Sequence, residues 1–265
     1  MTEHVTYQDH EDPVITYEYP FSERIRTLLR LEDIFNKTLY FTKKRTSFEH
    51  HAALMGLFEI VNVTSRADLK MDVLQELERQ RQALQSSRDA SGVSEKSLSA
   101  ALCEIEQAST ALRETSGKLG QHVRDNEWLM GIKSRTVIPG GVCEFDLPSY
   151  HYWRHLAPEE RQNSLNEWLQ PLLPLNDSLS IILRLLRKSG EAKRQIAQGY
   201  TFQITPQGAS SQMLRVSLAE DIQLVPEISA NKYLINIHFT HPAKKCLACA
   251  AEDAEIHFDM AICRL

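Results

Sequence analysis

The run Leu214-Arg215-Val216-Ser217-Leu218 alternates apolar with polar residues, and Tyr233-Leu234-Ile235-Asn236-Ile237-His238-Phe239 sets Tyr233, Ile235, Ile237 and Phe239 on one side. A period of two belongs to a strand with one buried face. Tyr200-Thr201-Phe202-Gln203-Ile204 repeats the pattern, and Ile256, Phe258, Met260 and Ile262 close the chain with it. Turn signals such as Pro206-Gln207-Gly208 separate these runs, so they predict an antiparallel sheet after Gly190. Near the N-terminus Ile15, Tyr17 and Tyr19 alternate with Thr16 and Glu18 until Pro20, marking a further strand that can complete the same sheet.

Before Gly190 the apolar period lengthens toward that of a helix. Ser22 precedes Ile25, Leu28, Leu29, Ile34, Phe35 and Leu39; Thr46 with Glu49 forms a capping box ahead of Leu54, Leu57, Phe58 and Val61. Ser65 with Asp68 opens a third helix carrying Leu69, Val73, Leu74, Leu77 and Leu84, which fades into a serine-rich loop over 85–94. A seam of Leu98, Leu102, Ile105, Ser109 and Leu112 then recurs at steps of four and three. It packs on a neighbour within the chain or forms part of a contact with a second copy. Another helix is expected near Leu119 to Lys133, and helices resume from Tyr150 to Lys188 with Trp153, Leu165, Trp168 and Leu172 inward.

The fold class is therefore α+β. Residues 1–14 form an acidic extension, 15–20 the strand that joins the sheet, 21–190 a helical domain and 191–265 a β-rich domain. With 265 residues, 42% hydrophobic and 25% charged, the chain has the composition of a folded globular protein. Its greasiest stretch, Ile181 to Leu186, is broken by Arg184, far short of the roughly 18 apolar residues of a membrane span. The first residues lack the basic and apolar regions of a secretory signal, so a cytoplasmic location is expected.

Five acids and no Lys or Arg lie in residues 1–20, leaving 30 basic and 30 acidic groups from Phe21 onward. A neutral body argues against a broad nucleic-acid surface, although two local basic stretches stand out. One holds Arg24, Arg26, Arg30, Lys37, Lys43, Lys44 and Arg45; the other holds Arg184, Arg187, Lys188, Lys193 and Arg194. These groups suit a phosphate, a nucleic acid or a carboxylate-bearing peptide, against the plain alternative of a solvated face.

Chemistry beyond binding is not signalled. Cys246-Leu-Ala-Cys249 has metal spacing, but no second pair follows, and only His241, His257 and Cys263 offer to complete a site. Glu49-His50-His51 lacks the i, i+4 histidines of a zinc-binding helix and reads as a solvated helix start. Phosphate-loop, nucleophile-elbow, dinucleotide and kinase motifs are all missing. No enzyme, cofactor or metal is expected.

Tyr17-Glu18-Tyr19-Pro20-Phe21-Ser22-Glu23-Arg24-Ile25-Arg26-Thr27-Leu28-Leu29-Arg30-Leu31-Glu32, LQELERQ at 74–80, and IPGGVCEFDLP at 138–148 followed by Trp153 and Leu156 resemble the bacterial cell-division family ZapD. The resemblance runs from about Ile15 to Phe239. It implies a cytoplasmic, non-enzymatic homodimer that binds the tubulin-like GTPase FtsZ, bundles its protofilaments, promotes Z-ring assembly in septation and slows GTP turnover at mid-cell. It further implies a dimerising helical domain and a barrel-like β domain, with the FtsZ C-terminal tail on a basic surface. By this resemblance Arg66 and Lys70 belong to that surface, while Leu234 and His238 stand where arginines are expected. Lys232 and the cluster Arg184, Arg187, Lys188, Lys193 and Arg194 are the substitutes. The competing reading is a nucleic-acid-associated regulator using the same basic stretches.

Overall fold

The computed structural model describes residues 14–65, 69–86, 95–205, 211–242 and 254–264. The fold is α+β, and the chain divides into two compact units, Arg26–Leu185 and a second made of Met1–Ile25 with Leu186–Leu265. Residues 1–13 of the acidic extension lie outside the described residues, and Val14 belongs to the strand that follows.

Among the described residues seven strands build the second unit: β1 (Val14–Pro20), β2 (Lys193–Gln198), β3 (Thr201–Ile204), β4 (Ser211–Ala219), β5 (Val225–Ala230), β6 (Ile235–Thr240) and β7 (Glu255–Arg264). Their order is β1-β4-β7-β2-β3-β6-β5, with antiparallel pairing throughout, in a nearly closed barrel-like sheet. The N-terminal strand joins it as expected, Tyr17 opposite Val216 and Tyr19 opposite Leu214. Leu214, Val216, Ile235, Ile237, Phe239, Phe258 and Met260 form the core of the inner face. Phe258 there meets Phe202 at 5.2 Å and Phe239 at 5.0 Å between ring centres.

Two strands escape the alternation. β2 reads KRQIAQ, with only Ala197 fully buried, and is held by its ladder to β7; β5 reads VPEISA, contains a proline and forms a sheet edge. The start of β3 also moves. Gln198 pairs with Thr201, so Gly199 and Tyr200 make a two-residue hairpin turn with positive φ, 55° and 64°. Tyr200 is thus a turn residue whose ring still packs on the core.

The helices are α1 (Glu23–Thr42), α2 (Ser47–Thr64), α3 (Leu69–Ser86), α4 (Glu95–Glu114), α5 (Gln121–Arg124), α6 (Glu127–Thr136), α7 (Pro148–Arg154), α8 (Pro158–Leu169) and α9 (Leu173–Lys188), with a 3₁₀ turn at Gln170–Leu172. Ser22 caps α1 through the Ile25 N–H, and the Thr46–Glu49 capping box is present in full. The helix expected over 119–133 is instead two. The Asn126 side chain accepts from the Leu129 N–H at 3.0 Å, starting α6 afresh because an N-cap satisfies donors that a continuous helix would bond internally. Most of the α4 seam packs inside the chain, with α4 against α3 and Leu98, Ile105, Ser109 and Leu112 buried, while Leu102 is half-buried. Gly56 of α2 lies so close to α1 that a Cβ would overlap Thr38 Oγ1.

Candidate functional site

The outer face of the sheet carries a cluster built from three elements. Glu18 of β1 stands opposite Arg215 of β4, because residues paired across antiparallel strands share a face. Arg187, in the last turn of α9, reaches the same carboxylate: its Nε donates to Glu18 Oε1 and its Nη2 to Oε2, both at 2.8 Å. Such a two-pronged contact is the strong form of an ion pair. Arg215 is served less well. Its Nε is 3.3 Å from Glu18 Oε1 but buried without a well-formed hydrogen bond.

The segment just beyond α9 holds Arg187 in place. The Arg264 N–H donates to Ser189 Oγ at 3.0 Å, and Gly190 passes so near β7 that a Cβ would stand 2.9 Å from Cys263 Sγ. Cys263 is buried beneath this crossing, and burial pushes its thiol pKa up, which makes it a packing residue and a poor nucleophile.

The basic cluster read from the sequence does not form one open patch. Arg184 pairs with Glu104 in the helical unit, whereas Arg187 is committed to Glu18. Lys188 is exposed and has no ion-pair partner among the described residues. Lys193 sits 3.7 Å from Glu191, and Arg194 sits 3.5 Å from Asp259 on the outer face. Lys193 also borders a cleft of about 350 Å³ at one end of the sheet, with Ile204, Met260, Ile262 and Arg264. Lys232 occupies the turn between β5 and β6 with its ammonium 4.7 Å from the Tyr233 ring centre. His238 stands on β6 opposite Thr201 and Glu227, its Nδ1 3.4 Å from Thr201 Oγ1.

Arg66 lies outside the described residues, as do Cys246 and Cys249. Lys70 is engaged at the end of α4, donating from Nζ to the carbonyls of Thr115 at 2.7 Å and Arg113 at 3.2 Å. That is a capping role, since a cation suits the last carbonyls of a helix. Among the described residues no group of three or more His, Cys, Asp or Glu is placed to hold a metal, and no helix is long and apolar enough to cross a membrane.

The histidines of Glu49-His50-His51 overturn the expectation of a solvated helix start. His50 is fully buried, with Nε2 at 2.7 Å from the Lys44 carbonyl and Nδ1 accepting from Arg161 Nε at 2.9 Å. His51 Nδ1 shares a hydrogen bond of 2.6 Å with the Tyr150 hydroxyl. Burial lowers the pKa of both imidazoles and raises that of Tyr150 to about 12, so all three groups are neutral near pH 7. Alternate helical faces would have placed one of the two histidines in water; the loop at 42–46 and the helices α7 and α8 close over both.

Arg215 and Arg161 were not singled out by the sequence. The alternation does place Glu18 and Arg215 on outward positions, but only the strand register makes them partners.

Taken with the fold, the cluster defines a two-unit α+β protein presenting guanidinium groups on the outer face of a barrel-like sheet. A family model described as "ZapD: Cell division protein" matches residues 29–238. Proteins called Cell division protein ZapD are 55% identical over 252 residues in Dechloromonas aromatica (strain RCB), and 53% identical over 252 residues in Azoarcus sp. (strain BH72). Each comparison covers 95% of this chain and 100% of the relative. A third, from Aromatoleum aromaticum, is 53% identical over 96% of this chain and 98% of its own length. The chain belongs to the ZapD family, and with it to cell division.

Proposed function

We propose that the protein is a non-enzymatic cell division factor that binds FtsZ through its C-terminal tail. It cross-links and bundles FtsZ protofilaments, promotes Z-ring assembly and lowers GTP turnover, acting in the cytoplasm and recruited to mid-cell by FtsZ itself. The observation that carries this reading is the match over nearly the whole chain to proteins named for cell division. The surface chemistry supports it, because uncommitted or partly committed cations, Lys188, Lys193, Lys232 and Arg215 among them, suit a carboxylate-bearing peptide.

Cross-linking needs two tail sites held together. A homodimer provides them, and tethering along a polymer raises apparent affinity without any new contact. The test is co-sedimentation with polymerised FtsZ, in full-length and tail-truncated forms, alongside light scattering of the protein alone. The protein pelleting with full-length filaments, and not with truncated ones, is the expected result. Absence from both pellets would overturn the assignment, and a monomer at micromolar concentration would overturn the bridging mechanism.

A further inference from the structure

The sequence holds one pair of histidines at the i, i+4 spacing that grips a metal ion on a helix, and it is not at Glu49-His50-His51. His151 lies within α7, and His155 is the residue that ends it. The function proposed above leaves both unused.

The two rings come to one face of the helix. Their centres are 4.4 Å apart and their planes are tilted by 43°, the neighbourhood expected of side chains one turn apart. His151 is half-buried and His155 exposed, so an ion reaches them directly from water. Behind them the helix is firmly anchored. Tyr150 and Trp153 point inward, 0% and 5% exposed, with their rings stacked at 5.7 Å. Arg161 Nη1 donates to the carbonyls of Arg154 and Leu156, on either side of His155. Side chains on a backbone held in this way lose little freedom when they bind an ion.

The hydrogen bonding suits a ligand pair as well. The last turn of α7 is tight: the His155 N–H donates to the Tyr152 carbonyl at 2.9 Å and so does not bond the His151 carbonyl, its usual helical acceptor. The His155 ring takes that oxygen instead, with Nδ1 at 2.8 Å. A carbonyl only accepts, so Nδ1 carries the proton and Nε2 keeps its lone pair. Donation from one ring nitrogen to a backbone carbonyl is what fixes the tautomer and direction of a metal-bound histidine. Among the described residues the His151 ring has no hydrogen-bond partner and is free to turn a lone pair toward the same point. Two bonds of about 2.0–2.1 Å to one ion put the nitrogens about 3 Å apart, a spacing within reach of rings whose centres are 4.4 Å apart. Arg154, the nearest cation along the helix, is held over the Phe48 ring, 5.2 Å from its centre.

We propose that His151 and His155 form a two-ligand surface site for a divalent cation of the Zn²⁺, Ni²⁺ and Cu²⁺ class, bound through both Nε2 atoms with water in the remaining positions. Imidazole nitrogen selects these ions over Mg²⁺ and Ca²⁺, which take oxygen donors. No third His, Cys, Asp or Glu is placed to complete the shell among the described residues, so the ion is exchangeable and open to a donor from another molecule.

The experiment uses the untagged, metal-stripped full chain and Ni²⁺ as the probe. Histidine ring signals followed by NMR report the site directly, because a paramagnetic ion broadens its own ligands first. Of the ten histidines, His151 and His155 are expected to broaden before the others, at substoichiometric Ni²⁺. Calorimetric titrations are run with Cys246→Ser and Cys249→Ser in every sample, which removes the cysteine pair that also has metal spacing. Against that background Ni²⁺ affinity is expected to fall at least about tenfold in His151→Ala and in His155→Ala, since loss of a supporting group alone costs about that much. His257→Ala, an exposed histidine on β7, is the control and is expected to leave the affinity unchanged. Mg²⁺ in equal amount is expected to displace no Ni²⁺. Broadening that begins at any other histidine overturns the site, as does a fall of less than about threefold in His155→Ala, displacement by Mg²⁺, or no Ni²⁺ binding below about 1 mM.

Discussion

Replacing Arg161 of α8 by Met tests whether a buried cation with no carboxylate in contact organises the helical unit. The residue is 5% exposed, and its guanidinium donates to four acceptors. Nε goes to His50 Nδ1 at 2.9 Å, Nη2 to the Arg45 carbonyl at 2.7 Å, and Nη1 to the carbonyls of Arg154 at 3.1 Å and Leu156. One side chain therefore joins α8 to the loop before α2 and to the end of α7. Methionine keeps most of the apolar stem and supplies none of the donors. Each orphaned buried acceptor costs about 1–3 kcal/mol. Removing a desolvated charge returns part of this, so the net loss is about 3–5 kcal/mol, the range for stripping one partner from a buried charge. In a protein of this size that corresponds to a fall in Tm of roughly 6–20 °C, at about 2–4 °C per kcal/mol. Urea unfolding followed by tryptophan fluorescence is a suitable assay, because Trp128, Trp153 and Trp168 all lie in the helical unit. A Met variant within about 1 kcal/mol of wild type would refute the reasoning, since surface changes alone fall in about that range.

The neighbouring imidazoles give a pH dependence. Both His50 and His51 have lowered pKa values in the folded state, so the unfolded chain binds more protons below about pH 6.5. Stability is then complete above that pH and declines as pH falls through it, by up to about 1.4 kcal/mol per unit for each histidine; urea midpoints between pH 8 and pH 5 should show the decline, and His50→Gln should reduce its slope. Gly56→Ala should destabilise by about 1–3 kcal/mol through overlap with Thr38, and Thr38→Ala in the same chain should restore much of it, as thermal melts of the single and double variants will show. Lys70→Met should lower Tm by removing a cap on the Thr115 and Arg113 carbonyls, a loss of about 1 kcal/mol; an unchanged Tm would return Lys70 to the set of residues free for binding.

Local periodicity alone determined the division into helices and strands, the Thr46–Glu49 cap and the four alternating strands, because each depends on residues within one turn or one pleat of each other. It even marked β1, since Ile15, Tyr17 and Tyr19 announce an inner face wherever the strand goes. The cysteine pair, the acidic extension and Arg66 were legible as motifs and fall outside the described residues. What the tertiary structure decided is everything that joins distant residues. β2 and β5 lack alternation and exist because β7 and β6 offer them hydrogen bonds. Arg187 is one of five cations within eleven residues, yet it meets a carboxylate 169 positions away, on the strand at the other end of the chain. His50 seemed solvated until Arg161, 111 positions on, supplied its donor. Spacing along a chain fixes which side of a helix or strand a group occupies, whereas the charge it meets, and hence whether it is free to bind, depends on packing between segments that the local pattern does not encode.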